Sequence, residues 1–398
     1  MSRSTRGGRR RPGGRVLALA GMAAGMALAV AAAEPAALQA QAAEAAAVRA
    51  AVHPGDAKMY IGTYRNIVII DEATSTVEGG IDLMSGMPRT MVLNARRDRF
   101  YVLNTMYETI EIVDIASRRS LDQFTLSEGS RKVRIQSFVV DPAERYLILL
   151  AKTYDRRSDR FEVSRPLLLK YDLQTRAVTD TIAWPEGEPR ERAQLVFSPS
   201  GDLLYFFSDE ILALETEGFT QVDSWNYEEA LGDRLGSFDF GFPDQMYEEP
   251  GYYTGLFRMT DPVQGRRLMG VARVNLTERE VDFSILGPSE NVSFTLAPGG
   301  EKAYGLLSQV GNYQFWTFDL KANQVTSRQT FQGRPRMSLM TSSNGQVLYV
   351  YNAGNTIDMY EAATYGYLGT IDLNVDSSTP LYILPARDVS TTTRAGND

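Results

Sequence analysis

The chain has 398 residues, no cysteine and a single histidine, His53, and its 49 Asp and Glu outnumber 41 Lys and Arg for a net charge of −8. These counts exclude a disulfide, a thiolate nucleophile, a cysteine-ligated metal, a Cys-x-x-Cys-His haem attachment, a multi-histidine metal site and any Ser–His relay away from residue 53. Acidity makes the chain a poor nucleic-acid binder, and 20 Tyr with 17 Phe favour strands.

Residues 1–15 carry six Arg and no acid, residues 16–33 are apolar and small, and Ala-x-Ala patterns follow at Ala31–Ala33 and Ala40–Ala42. Basic, apolar and small-residue regions in that order read as a secretory signal peptide over 1–42. The apolar run is also just long enough to serve as an uncleaved anchor, although alanine inserts weakly into a bilayer. Residues 43–56 read as a linker, with His53 expected in solvent. The folded part is then expected outside the cytoplasm, periplasmic or secreted, with no membrane span once the signal is cut.

From 57 to 387 the chain repeats a unit: an apolar strand, an Asp-x-x-Thr-like turn and a second strand. The turns are anchored at Asp71, Asp114, Asp172, Glu215, Asn275, Asp319 and Glu361, at spacings of 43, 58, 43, 60, 44 and 42. An Asp side chain accepts from backbone N–H groups two residues on, and Thr or Ser does so more weakly, which pins a hairpin. A second marker precedes several copies, a turn followed by a continuous apolar strand: DPAERYLILL at Asp141, SPSGDLLYFF at Ser198, APGGEKAYGLL at Ala297 and SSNGQVLYVY at Ser342. Strands covered on both faces read this way. A beat near 43 residues is that of a four-stranded blade, and the spacing predicts an all-β, seven-bladed β-propeller over 57–387. A β-sandwich would not give seven copies of one hairpin. The first copy lacks a strand and the chain ends with a spare one, TPLYILPAR, so the C-terminal strand is expected to close the ring. The polar residues 388–398 read as a disordered tail.

Two insertions break the repeat, and function is expected in such loops. The segment 152–166 holds five Lys or Arg, with Arg156, Arg157 and Phe161 as candidate contacts. The segment 225–262 is acidic and aromatic, with Trp225, Tyr227, Tyr247, Tyr252 and Tyr253 as candidates. Tyr, Trp and Arg favour interface centres, so these eight residues are candidates for partner binding; the alternative is that the aromatics fill their own blade. Glu248 and Glu249 are adjacent and would diverge on a strand, so they are not read as an acid/base pair. No catalytic, cofactor-binding or metal-ligating residue is assigned.

FYVLNTMYETIEIVDIASRRSLDQFTL (100–126) and LYVYNAGNTIDMYEAATYGYLGTIDL (348–373) resemble the YVTN family of exported bacterial propellers. The order of long and short spacings, RFEVSRPLLLKYDLQT (160–175), LETEGFTQVDSW (214–225) and the stretch from Gly270 to Leu373 resemble the β subunit of quinohaemoprotein amine dehydrogenase. That resemblance implies a propeller subunit of a periplasmic heterotrimer. A small subunit would carry a cysteine tryptophylquinone, another two haems, and this chain no cofactor. A cysteine-linked quinone cannot form in a chain with no cysteine, and Trp184, Trp225 and Trp316 each read as structural. The expected function is a non-catalytic binding or scaffold subunit. The alternatives are a stand-alone lactonase-like hydrolase and a cell-surface propeller that binds a ligand or polymer.

Overall fold

A computed structural model describes residues 52–385 apart from 188, 191–192, 208–209, 227–234, 240–245, 262, 310–311, 332–335 and 353. The expected signal peptide, most of the linker and the C-terminal tail lie outside the described residues.

The described residues form seven antiparallel sheets, with one 3₁₀ turn at Pro185–Gly187 and no α-helix among them. Six sheets have four strands, and the third has a fifth, short one. Leu381–Leu384 pairs with Lys58–Gly62, running from Lys58 opposite Leu384 to Ile61 opposite Leu381. The end of the chain thus supplies the innermost strand of the first blade, as the count of unpaired strands requires, and closes a seven-bladed propeller.

The core is divided into seven wedges, one between each pair of neighbouring blades. Alternation along a strand sends successive side chains to opposite sheet faces, so each blade feeds two wedges. In the third blade Leu147 and Leu149 join Tyr101 and Ile110 of the second blade, while Ile148 and Leu150 join Leu195 and Leu204 of the fourth. The remaining wedges follow the same plan, down to the one in which Met59 and Ile61 of the first blade meet Tyr349 and Ile357 of the seventh. Burying one such side chain stabilises the fold by roughly 2 kcal/mol.

Each anchor residue caps the hairpin of the two outer strands. Asp71 Oδ1 accepts from Thr74 N (2.8 Å) and Thr74 Oγ1 (3.0 Å), Asp114 Oδ1 from Ser117 N (2.7 Å), and Asp172 Oδ1 from Thr175 N (2.7 Å). Glu215, with a longer side chain, accepts from Gly218 N and Thr220 N, both at 3.0 Å with Oε1. Four residues after every anchor stands a non-glycine residue with φ between 52° and 60°: Ser75, Arg118, Arg176, Phe219, Arg279, Asn323 and Tyr365. Asp71 is opposite Thr76, Asp114 opposite Arg119 and Asp172 opposite Ala177, so each loop has four residues and ends in the left-handed one. Its left-handed position usually favours glycine, and the side-chain cap holds it here.

Ring closure carries a polar clasp. The Glu72 carboxylate is fully buried. It accepts from Ala57 N (3.0 Å) in its own blade and from Ser343 N (2.9 Å), Ser343 Oγ and Tyr349 OH (3.1 Å) in the seventh. A buried carboxylate is tolerated when donors surround it in this way.

Candidate functional site

Strand direction gives the ring two ends. One, the turn end, gathers the turns from first to second and from third to fourth strand of each blade. The other, the loop end, gathers the second-to-third loops and the connections between blades.

At the loop end the third blade outgrows the others. Its first two strands, Arg131–Val140 and Tyr146–Arg156, have 10 and 11 residues where the fourth blade has 4 and 5. Residues 157–160 turn the chain, closed by Arg157 N donating to Arg160 O (2.8 Å). Phe161–Val163 then runs back along the second strand, with Phe161 opposite Arg156 and Val163 opposite Tyr154. A three-stranded arm results. Its return is fixed where Trp184 Nε1 donates to Pro166 O (2.8 Å).

Alternation gives the arm two unlike faces. Val133 and Thr153 are opposite one another and buried, and Val133 joins the wedge between second and third blades. On the outward face Lys132 is opposite Tyr154 and Arg134 opposite Lys152; Val163 continues the row of Lys132 and Tyr154, and Phe161 opposite Arg156 forms the next row. Phe161 is 64% and Val163 52% exposed. The Arg134 guanidinium lies over the Tyr154 ring at 5.1 Å, and Lys132 Nζ reaches Glu108 at 3.0 Å. The arm's own acids lie elsewhere. Glu162, between Phe161 and Val163 in sequence, turns to Arg157 (2.9 Å) and Arg160 (3.0 Å), and the Arg157 guanidinium foremost holds its carboxyl below the usual range.

The structure brings Arg156, Arg157 and Phe161 together on this arm. It does not unite the second group of candidates. Trp225 is half-buried in the outer strand of the fourth blade, edge-on to Tyr205 (6.2 Å between centroids), and its Nε1 donates to Asp223 (2.8 Å). Tyr227 lies outside the described residues. Tyr247, Tyr252 and Tyr253 belong to the turn end.

There, Met246–Gly251 forms a strap that leads into the strand Tyr252–Thr260 of the fifth blade and reaches distant blades. Arg97 Nη1 of the second blade donates to Met246 O (3.2 Å), and Met246 packs against wedges on both sides of the first blade. Tyr247 OH donates to Thr341 O of the seventh blade (3.0 Å), and burial pushes that phenol up. Glu248, 6% exposed, accepts from Arg273 Nη2 (2.9 Å) and from Thr254 Oγ1, and the Arg273 guanidinium lies 3.9 Å over the Tyr252 ring. Glu249 also reaches Arg273, at 3.3 Å, so the two adjacent carboxylates share one cation. Tyr253 packs with Phe207 at 5.8 Å.

Beside the strap lies a cavity of about 700 Å³, walled by Val92, Phe138, Val140, Leu195 and Phe197. Its carboxylate Glu248 is already engaged by Arg273. Among the described residues no group of three or more His, Cys, Asp or Glu is placed to hold a metal ion.

Sequence reasoning missed Lys132, Arg134, Tyr154 and Val163 on the arm. The signal was present: in RKVRI and KTYDR every second residue is basic or aromatic, the pattern of a strand with one solvent face.

No family model matches the chain, and no curated protein matches it. Among solved structures it is similar to Kuenenia stuttgartiensis hydrazine synthase (12% identity over 78% of this chain and 90% of that one, TM-score 0.47). It is also similar to dihydro-heme d1 dehydrogenase NirN (10% over 83% and 75%, TM-score 0.48) and to a functionally unknown protein of Desulfotomaculum acetoxidans (10% over 84% and 100%, TM-score 0.49). At such identities the likeness concerns the path of the chain and assigns no activity.

Proposed function

We propose that this chain is an exported, non-catalytic propeller that holds a partner protein at its loop end. It would play the part of the β subunit of a periplasmic quinohaemoprotein amine dehydrogenase. Quinone and haem would belong to partner chains, a small quinone-bearing subunit and a dihaem cytochrome subunit.

The observation that carries the reading is the arm of the third blade. A regular propeller needs no such extension for its own stability. The arm instead holds an aromatic side chain, Phe161, 64% exposed on an edge strand. Exposed apolar side chains on a strand edge invite pairing with another chain, and in a scaffold that invitation is the function. The alternative of a stand-alone hydrolase lacks a comparable feature, since Glu248 and Glu249 beside the cavity share Arg273 and Arg97 donates to Met246 O.

The test is affinity purification of the tagged full-length chain from its native periplasm, followed by redox staining for quinone and haem. Recovery of both groups on separate chains supports the reading. Recovery of neither, together with hydrolysis of lactones by the isolated chain, overturns it.

A further inference from the structure

We propose that the outward face of the arm binds an acidic segment of a partner protein that also presents an aliphatic or aromatic side chain. The inference rests on the docking reading above and adds the chemistry of the partner.

Phe161 and Val163 are two apart on one strand, so they share a face; Arg156 and Tyr154 are directly opposite them, and Lys132 is opposite Tyr154. Apolar groups therefore run along one edge of the face, with Tyr154 beside them, and Arg156, Lys132 and Arg134 stand on the two strands next to that edge. Apolar and aromatic contacts flanked by charged groups are what interfaces are built from.

The cations on this face, Lys132, Arg134, Lys152 and Arg156, outnumber the acid that reaches it, Glu108 at 3.0 Å from Lys132. Asp155 and Glu162 alternate out of it, and each faces an arginine, Arg131 at 3.9 Å and Arg157 at 2.9 Å. A positive face on a chain of net charge −8 is a local exception. A partner that meets it must be negative where it touches. It must also be apolar where it meets Phe161 and Val163, or its own polar groups would lose water there without gaining a hydrogen bond.

A nucleic acid fits less well. Its charge density is felt over the whole molecule, and the net charge of the chain opposes it. Complementary charge on a small patch instead speeds and orients a protein encounter.

The test measures binding to the full-length chain with four probes: a short peptide of alternating Glu and Leu, its Gln–Leu and Glu–Ser counterparts, and a polythymidine oligonucleotide. The Glu–Leu peptide is expected to bind at least about tenfold more tightly than either counterpart, a difference typical of a few charge and apolar contacts. Its affinity should fall as salt rises from about 0.1 M to about 1 M, which shortens the screening length from about 10 Å to about 3 Å. The double variant Lys132→Glu/Arg156→Glu and the single variant Phe161→Ser should each weaken binding by about tenfold or more at unchanged melting temperature. Equal binding of the Gln–Leu peptide, tighter binding of the oligonucleotide, or a chain dimer that Phe161→Ser dissolves would each overturn the proposal.

A photo-crosslinker in place of Phe161, used in the native periplasm, separates this inference from the docking reading. A crosslinked partner that survives Lys132→Glu/Arg156→Glu leaves docking intact and overturns the acidic partner.

Discussion

The two ends of the ring are made from the same repeated hairpins and differ in what they do with polar groups. At the turn end the carboxylates that hold the ring together have partners within the chain. Asp71 is held by Lys58 and Thr74, Glu144 by Arg96, Arg99 and Tyr101, Glu72 by four donors, and Glu248 by Arg273. The strap Met246–Gly251 adds contacts that cross the ring. At the loop end the repeat is broken, one blade is drawn out, and apolar and basic side chains are left facing water. The difference separates two uses of an insertion: the strap turns its side chains to contacts within the ring, and the arm leaves Phe161 and Val163 exposed.

The largest test of that division is Glu72→Ala. It leaves the Ala57 and Ser343 amides and the Tyr349 hydroxyl without their acceptor at the junction of first and seventh blades. Orphaned buried donors are costly, and the expected loss is about 3 to 5 kcal/mol, measured as a lowered urea midpoint. A loss under about 1 kcal/mol would mean that the strand pairing of Leu381–Leu384 closes the ring without the clasp. Tyr247→Ala tests the strap. It removes an aromatic packed against two wedges and should cost about 3 kcal/mol, whereas Tyr247→Phe, which loses only the bond to Thr341 O, should cost about 1 kcal/mol.

Much of this fold is legible in the sequence because the turns are local chemistry. The seven anchors are read from single side chains that cap their own hairpins, and the spare C-terminal strand follows from counting. The left-handed residue four places after each anchor is harder to see, because Arg118, Arg176 and Phe219 stand where glycine is the usual signal. The second marker is hidden in the second blade, where Arg97 (φ 54°) takes the place that Gly201 (φ 76°) and Gly345 (φ 72°) fill in the fourth and seventh and the turn has no proline; in the third blade Glu144 (φ 54°) takes that place, but Asp141 and Pro142 mark the turn. The candidate site is half legible. Arg156 and Phe161 are visible as part of a basic insertion, but their neighbours Lys132 and Arg134 lie on the preceding strand and are brought alongside only by pairing. The aromatics of 225–262 look like one patch in sequence, yet Trp225 and Tyr247 belong to opposite ends of the ring, because a whole strand separates a connection between blades from the turn that follows it.

Acid sharpens the comparison with a smaller effect. Lys58 foremost, with Thr74, holds the Asp71 carboxyl at about 2, and the Gly218 and Thr220 amides hold that of Glu215 at about 2; Asp114 and Asp172 are lowered for similar reasons. All four belong to the turn end. An unfolded carboxyl titrates near about 4, so below that pH the unfolded chain binds more protons than the folded one. The stability these caps contribute is therefore complete above about pH 5 and lost as pH falls toward about 2. The melting temperature should be level from about pH 7 to about 5 and decline below about 4. Glu215→Gln should make that decline shallower, since the amide oxygen keeps the bonds from Gly218 N and Thr220 N without titrating, although the bond from Glu217 N to the second oxygen is lost.

The smallest expected effect is the most telling for the arm. Phe161 contacts solvent over most of its surface, so Phe161→Ser should change stability by no more than about 0.5 kcal/mol. The same replacement at Phe100 or Phe206, each fully buried in a wedge, should cost at least about 3 kcal/mol. Equal and large costs at all three positions in urea titrations would make Phe161 a core residue and remove the reason to look for a partner. A stable Phe161→Ser chain would mean that the arm keeps an aromatic side chain in water without using it to fold, and that its contribution is to be sought in binding.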